Sequence, residues 1–277
     1  MDLDLPLLKR AVAILAGAFV LLVALLFAFQ RKLLYHPRPI DKAAFPALVA
    51  QQFGGAAWVL APFDAIVVEP EHAELGPARG TVLLFHGNAE LALDRTDLAQ
   101  AFSHRGFRAV LAEYPGYGTR AGGISQQAIV EDALALYRAV RARFAQEPVV
   151  LAGASLGSGV AVQVAARVDG KEAPSRLVLL TPYLSISNTA ALAFPFLPAR
   201  YLVLDRFDSE RDLPRYAGPV ALGIAADDEV LGAAQGYALA KVARARGPTS
   251  VVTFDNAMHN DWSMRATDAQ WAELLGR

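Results

Sequence analysis

The sequence predicts an α/β fold: a mostly parallel central sheet with helices on both faces, preceded by one N-terminal transmembrane helix. Two observations predict the sheet: short apolar runs recur along the chain, and longer stretches with helical spacing separate most of them. A third observation, an uninterrupted apolar stretch near the amino terminus, predicts the membrane helix.

The apolar runs have the length of strands, and they are apolar throughout, which indicates burial on both faces of a sheet. They are TVLLF (81–85), FRAVLAEY (107–114), PVVLAGA (148–154), SRLVLLT (175–181), PVALGIA (219–225) and TSVVTF (249–254). Helical spacing is found at 91–104, 124–146, 155–168, 231–246 and 264–275. Ligands of such sheets bind beyond the carboxyl ends of the strands, so the residues after each run are the candidates for a site.

Residues 11–29, AVAILAGAFVLLVALLFAF, contain no charged or hydrogen-bonding side chain. As a helix they reach about 28 Å, close to the hydrocarbon core of a bilayer at about 30 Å. Two basic residues flank each end, and this balance sets no orientation. The sequence AFQ at 28–30 is a poor signal-peptide cleavage site, so we expect an uncleaved anchor. A cleaved signal peptide and a buried core helix are the alternatives.

The same signals divide the chain. We expect an N-terminal segment at 1–10, the transmembrane anchor at 11–29, a linker at 30–57 and an α/β domain at 58–277. Within that domain residues 182–216 interrupt the alternation, and their apolar, proline-bracketed centre predicts a lid over the site or, equally, a packing segment.

Composition excludes several function classes. The formal net charge is −1, which argues against a nucleic-acid surface. The chain has no cysteine, which removes disulfides, thiolate metal sites and a cysteine nucleophile. Neither a metal nor an organic cofactor is implied.

Glycines surround one serine in GASLGSG at 153–159. A phosphate-binding P-loop would need a lysine that is missing here, and the glycine spacing does not fit a dinucleotide-binding loop. The pattern G-x-S-x-G does fit Gly153, Ser155 and Gly157 at a predicted strand-to-helix junction. There it indicates a nucleophile held on a strained turn, against the alternative of a small-residue packing turn.

A serine nucleophile needs a base and a group that orients the base. His259 follows the last predicted strand and comes after Ser155, which gives the order expected of this architecture. Asp227 and Asp228 both follow the strand at 219–225, and spacing alone does not choose between them.

Attack on a carbonyl also builds an oxyanion that needs fixed donors. We expect the backbone amide of Leu156 to be one donor and that of Asn88, after the strand at 81–85, to be the other. Gly87 lets the loop lie flat against the substrate, and His86 supports the shape of the loop.

The segments FHGNAE, EYPGYG, GASLGSG, DDEV and MHND, in this order, resemble the α/β-hydrolase fold serine hydrolases over residues 33–265. More narrowly, they resemble the branch of small membrane-anchored abhydrolase-domain proteins, some of whose eukaryotic members are protein depalmitoylases. The resemblance implies Ser155 as nucleophile and His259 as base, and the EV after the acid favours Asp228. The sequence departs from the branch at Glu90, usually glycine, and at Ile224 and Ala225, where an HG pair usually precedes the acid.

These observations together predict a membrane-anchored serine hydrolase of carboxylic esters or thioesters, including those of acyl chains. Its expected partners are the ester or thioester substrate and, through residues 11–29, the lipid bilayer. The alternatives are a peptidase or amidase with the same triad and a non-catalytic tethered binding protein.

Overall fold

The computed structural model describes residues 5–55 and 57–276. Within them eight strands form one sheet, in the order β1-β2-β4-β3-β5-β6-β7-β8. The strands are β1 (Ala57–Leu60), β2 (Ala65–Val68), β3 (Thr81–Phe85), β4 (Arg108–Ala112), β5 (Val149–Ala154), β6 (Arg176–Leu180), β7 (Val220–Ala225) and β8 (Thr249–Phe254). Neighbours from β4 to β8 pair in parallel, while β2 pairs antiparallel with both β1 and β4. The predicted mostly parallel sheet is confirmed.

Each stretch with predicted helical spacing contains a helix of the described residues, and further helices lie outside these stretches. They are α1 (Leu5–Leu34), α2 (Phe45–Phe53), α3 (Thr96–Ser103), α4 (Gln126–Arg143), α5 (Leu156–Ala165), α6 (Ile186–Ala193), α7 (Ala199–Leu202), α8 (Ser209–Asp212), α9 (Ala233–Arg246), α10 (Trp262–Arg265) and α11 (Asp268–Leu275). Short 3-10 turns lie at Ala73–Leu75, Ala92–Asp94, Gly170–Glu172 and Leu213–Arg215.

Helices cover the sheet in two groups. On one side α5 packs on β3, β5 and β6 and also contacts α4 and α8. The other group contains α3, α10 and α11, which meet through the rings of Phe102, Trp262 and Trp271. The central strands β3 and β5 are buried along their whole length, because helices exclude water from both faces.

Sequence reasoning did not find three elements at the start of the domain. The strands β1 and β2 form a hairpin on the edge of the sheet, and α2 packs against β1. Helix α2 lies inside the stretch at 30–57 that was expected to be a linker, and its side chains Phe45 and Val49 are buried.

Helix α1 extends the predicted apolar stretch at both ends. Its residues Pro6–Leu34 are the one span among the described residues that is long and apolar enough to cross a membrane. Most side chains along it are exposed, Ile14 at 71% for example, so the helix is not a core helix of the domain. Its last turns approach the segment 182–216, which contains α6, α7 and α8.

Candidate active site

Ser155 lies on a sharp turn between β5 and α5. Its φ of 51° is left-handed, a strained value for a residue with a side chain. A side chain at Gly153 would collide with the Gly157 carbonyl, and one at Gly157 would collide with the Phe85 carbonyl. These collisions explain the glycine on each side of Ser155, since only glycine lets the two backbone segments approach so closely.

Three side chains from separate strand ends meet at this turn. The Ser155 hydroxyl Oγ lies 3.0 Å from His259 Nε2, and His259 Nδ1 lies 2.9 Å from Asp228 Oδ2. Ser155 follows β5, Asp228 follows β7 and His259 follows β8. The geometry is that of a nucleophile bonded to a base whose second nitrogen is held by a carboxylate.

The neighbouring aspartates have different surroundings. The second carboxylate oxygen of Asp228 accepts the amides of Val230 and Leu231, at 3.0 and 2.8 Å. Burial alone raises the pKa of Asp228, but the His259 side chain and these amides lower it below its ordinary value overall. Asp228 is therefore a carboxylate at neutral pH, whereas the side chain of Asp227 is exposed to solvent.

Two further carboxylates hold the loop that carries His259. Glu229 Oε2 accepts the backbone amide of His259 at 3.0 Å, and Asp261 Oδ1 accepts that of Met258 at 2.7 Å. Both contacts fix the backbone that leads into His259, so the ring is oriented through its loop as well as through Asp228.

The loop after β3 lies beside the serine. A Cβ on Gly87 would stand 3.5 Å from the Cβ of Ser155. The Gly87 amide donates to Glu90 Oε2 at 3.3 Å, so the next amide of the loop, that of Asn88, is the candidate oxyanion donor from this side. Leu156 begins α5, and its amide is one of the unpaired helix N-terminal donors that favour negative charge.

His86 contacts this loop from the protein interior. It is buried, and its Nε2 lies 2.9 Å from Glu113 Oε1 while its Nδ1 lies 2.7 Å from the Gly87 carbonyl oxygen. The hydroxyl of Tyr114 donates to the His86 carbonyl at 2.7 Å. His86 therefore supports the loop and makes no contact with Ser155 through either ring nitrogen.

Comparisons with known proteins identify the family of this chain. A profile of the family described as Hydrolase_4, serine aminopeptidase, S33, matches residues 76–209. An uncharacterized protein of Mycobacterium tuberculosis is 30% identical over 271 residues, which cover 92% of this chain and 90% of that protein. The chain belongs to the α/β-hydrolase family of serine hydrolases.

A further relative and a solved structure are similar to this α/β-hydrolase. The lysophosphatidylserine lipase ABHD12 of Danio rerio is 30% identical over 166 residues, which cover 54% of this chain and 44% of that protein. The crystal structure of an esterase from Pyrococcus furiosus superposes with a TM-score of 0.63 at 13% identity, covering 88% of this chain and 98% of that one. At that identity the likeness concerns the fold alone.

Asn88 joins the candidate oxyanion loop of the α/β-hydrolase to the end of α1. Its side-chain amide donates to the carbonyl of Leu34, the last residue of α1. Its side-chain oxygen accepts the Tyr117 hydroxyl at 2.9 Å and the His36 amide at 3.3 Å. The end of α1 is thus hydrogen-bonded to Asn88, and the residue before Asn88 is Gly87, which lies against Ser155.

The departure at Glu90 has a structural explanation in this α/β-hydrolase. The Glu90 carboxylate turns back onto its own loop, where it accepts the Gly87 amide and lies 3.5 Å from Arg95. The positive charge of Arg95 offsets the negative charge of Glu90. The hydrogen bond from the Gly87 amide to Glu90 stabilises the loop.

Sequence reasoning missed Glu113 and Glu229 as members of the site. Glu113 contacts the His86 side chain, which is 27 residues away in the sequence. Glu229 contacts the backbone amide of His259, which is 30 residues away. The signal available was their position, since each stands just after a strand. Among the described residues, no group of three or more histidine or acidic side chains is arranged to hold a metal ion.

Proposed function

We propose that this serine hydrolase is a membrane-anchored esterase or lipase-type enzyme that cleaves carboxylic esters or thioesters through Ser155, His259 and Asp228. The observation that carries the proposal is the chain of two hydrogen bonds, 3.0 and 2.9 Å long, from the Ser155 hydroxyl through His259 to Asp228. The family profile supports a serine hydrolase, and the lipase relative supports esterase or lipase-type activity.

In the proposed reaction Ser155 Oγ bonds to the substrate carbonyl carbon while its proton passes to His259 Nε2. The bond to the leaving oxygen or sulfur then breaks, and His259 gives that atom the proton. Water, deprotonated by His259, attacks the acyl carbon of the acyl-enzyme. The bond from that carbon to Ser155 Oγ breaks, and His259 returns the proton to Oγ, which releases the acid and regenerates Ser155. Asp228 holds the imidazole in the required tautomer and stabilises its protonated form.

The backbone amides of Leu156 and Asn88 are proposed to stabilise the oxyanion of each tetrahedral intermediate. Two observations support this proposal: Leu156 lies at the N-terminus of α5, and the loop that contains Gly87 packs against Ser155. Donors fixed before the reaction need no reorganisation when charge develops, which is why such a site accelerates acyl transfer. His86, Gly87, Gly153 and Gly157 are proposed to support this geometry.

We propose that residues 11–29 anchor the enzyme in the bilayer and that residues 182–216 form a lid. The length and apolarity of α1 support the anchor. The lid is supported by its exposed apolar side chains, among them Phe196 at 93% exposure, which favour contact with lipid over water. On this proposal the stretch 30–57 connects anchor and hydrolase domain, with α2 packed on that domain.

The family description favours a second candidate, a serine aminopeptidase with the same triad. Comparing turnover of matched p-nitrophenyl ester and p-nitroanilide substrates separates the two functions. Ester turnover far above anilide turnover supports the esterase, and comparable rates support the peptidase.

Labelling by a fluorophosphonate probe tests the assignment of the nucleophile. Wild type is expected to be labelled and Ser155→Ala unlabelled, while Ser158→Ala, a matched serine in the same glycine cluster, keeps its label. Equal labelling of wild type and Ser155→Ala contradicts the proposal.

Turnover of an ester substrate distinguishes the two aspartates. Asp228→Asn is expected to lower kcat by about 10⁴, the size of effect seen when a triad carboxylate becomes an amide. Asp227→Asn removes an exposed side chain and should stay close to wild type. The reverse ranking would assign the acid to Asp227.

A further inference from the structure

We propose that a groove between α1 and the lid binds the acyl chain of an ester that resides in the bilayer, and that it leads the ester carbonyl to Ser155. This inference rests on the proposed function and deepens it by naming the substrate class and the place of its chain. The groove has a volume of about 450 Å³, within the usual range of about 300–1,000 Å³ for ligand sites.

One wall of the groove is a single face of the membrane helix. Its residues recur every three or four positions, as one face of a helix requires. They are Val23, Leu26, Phe27, Gln30, Leu33 and Leu34. Since the start of this wall lies within the apolar stretch 11–29, that end of the groove is at the depth of lipid tails.

The opposite wall comes from the lid. Small side chains on α6 and α7, those of Ala190, Ala193 and Ala199, leave the space open. Beside them Leu192, which does not line the groove, is 64% exposed, and Phe194 is 50% exposed. An apolar surface of this kind next to a membrane helix favours insertion among lipids, so the mouth of the groove faces the bilayer.

The chemistry of the lining favours a hydrocarbon chain. None of the lining side chains is charged, and the two polar ones, Gln30 and Thr189, already have protein partners. Gln30 accepts the Leu204 amide at 2.8 Å and donates to the Phe27 carbonyl at 2.9 Å, while Thr189 donates to the Ser185 carbonyl at 3.2 Å. A polar group placed here would lose its water without gaining a partner.

Hydrogen bonds connect the end of each wall to a segment next to the candidate nucleophile. Leu34, the last residue of the first wall, accepts the Asn88 side chain, and Asn88 follows the glycine that lies against Ser155. On the lid side, Ile186 comes three residues after Tyr183, whose hydroxyl donates to the Leu156 carbonyl at 3.3 Å. From Leu34 back to Val23 the wall extends about 17 Å along the helix, which accommodates an extended acyl chain.

Photo-crosslinking of the full chain in phosphatidylcholine nanodiscs tests the groove. The probe is a long-chain alkyl fluorophosphonate with a diazirine at the chain end. Its phosphorus bonds to Ser155 Oγ as fluoride leaves, and light then attaches the chain end to its neighbours. Crosslinked peptides are expected from residues 23–34 and 186–203. Crosslinks confined to other parts of the chain overturn the groove, whereas failure to label Ser155 overturns the proposed nucleophile instead.

Substrate selectivity gives a second test in the same nanodiscs. Ala190→Phe fills the groove and is expected to lower kcat/KM for p-nitrophenyl laurate about tenfold more than for p-nitrophenyl butyrate. Leu192→Phe also introduces a phenyl ring, but on another face of α6 and outside the lining, and should leave the laurate-to-butyrate ratio at the wild-type value. Equal ratios in all three proteins contradict the acyl site.

Discussion

His86 is a buried histidine with a hydrogen-bond acceptor at each ring nitrogen, Glu113 at one and the Gly87 carbonyl at the other. A neutral imidazole donates from only one nitrogen, so this arrangement favours the imidazolium. Burial alone would lower the pKa of His86, but the Glu113 carboxylate, with Glu90 and the Gly87 carbonyl, raises it overall. The contacts at both ring nitrogens and the direction of the pKa shift therefore favour the protonated form of His86 beside the Gly87 loop.

This protonation makes stability depend on pH. Because the folded-state pKa of His86 lies above its ordinary value of 6.5, its contribution is fully present below pH 6.5 and is lost as pH rises through the folded pKa. We expect the unfolding free energy of wild type to fall with rising pH in this window. Glu113→Gln removes the carboxylate that raises the pKa and should flatten the slope. Unfolding measured at several pH values in detergent checks this, and equal slopes in both proteins would contradict it.

At the residue scale, candidate site residues could be predicted from the sequence where a local pattern expresses their chemistry. Ser155 was predictable because the glycines beside it record a steric need, and His259 because few histidines follow a strand late in the chain. Asp227 and Asp228 are adjacent, so only the three-dimensional path of the loop after β7 brings one of them to His259. The partnership of Glu113 with His86 depends on β3 and β4 being neighbours, which no local pattern expresses.

The end of α1 is held against the lid by an ion pair. Arg31 Nε lies 2.9 Å from Asp205 Oδ2, which also accepts the Tyr35 hydroxyl at 3.1 Å. The Asp205 side chain is only 7% exposed, whereas that of Arg31 is 51% exposed. Burial and the Asp205 charge raise the pKa of Tyr35, so its hydroxyl stays protonated and donates. The contact joins the two elements that form the groove.

The unequal burial of this pair predicts unequal effects of mutation. Arg31→Met leaves a buried carboxylate without its cation and is expected to destabilise the protein by about 1–2 kcal/mol. Adding Asp205→Asn removes the stranded charge and should recover part of that loss. Thermal unfolding of the full chain in detergent measures both, with Lys9→Met as a control for loss of a basic residue elsewhere on α1. A double variant less stable than Arg31→Met would contradict this account.

At the element scale, the strands that are apolar throughout were predicted within a residue or two, because burial on both faces leaves an unambiguous pattern. The hairpin of β1 and β2 was not, since β1 is a half-buried edge strand of four residues. Helix α2 was not predicted either, because it is short. Packing on β1 stabilises this helix, and its own sequence carries no strong helical pattern.

Considered as a whole, the molecule has the end of its long apolar helix α1 in contact with the segments around its candidate site. Gln30 and Arg31 contact the lid, and Leu34 contacts the loop that carries Asn88. A signal peptidase cut after Ala28 would fall inside α1 and would remove three residues of the groove wall, Val23, Leu26 and Phe27. Retention of α1 is therefore needed for the proposed substrate site as well as for attachment.

These contacts predict that the mature protein keeps its amino-terminal helix and behaves as an integral membrane protein. Peptides from residues 11–29 should be found by mass spectrometry of the protein isolated from membranes, and alkaline carbonate should not release it. A variant with both Leu15→Arg and Leu22→Arg tests the cause, because each arginine near the helix centre costs about 2.5–3.5 kcal/mol on insertion. That variant should be partly released into the carbonate supernatant. A mature wild-type protein that begins near residue 29 and is released by carbonate would instead identify a cleaved signal peptide.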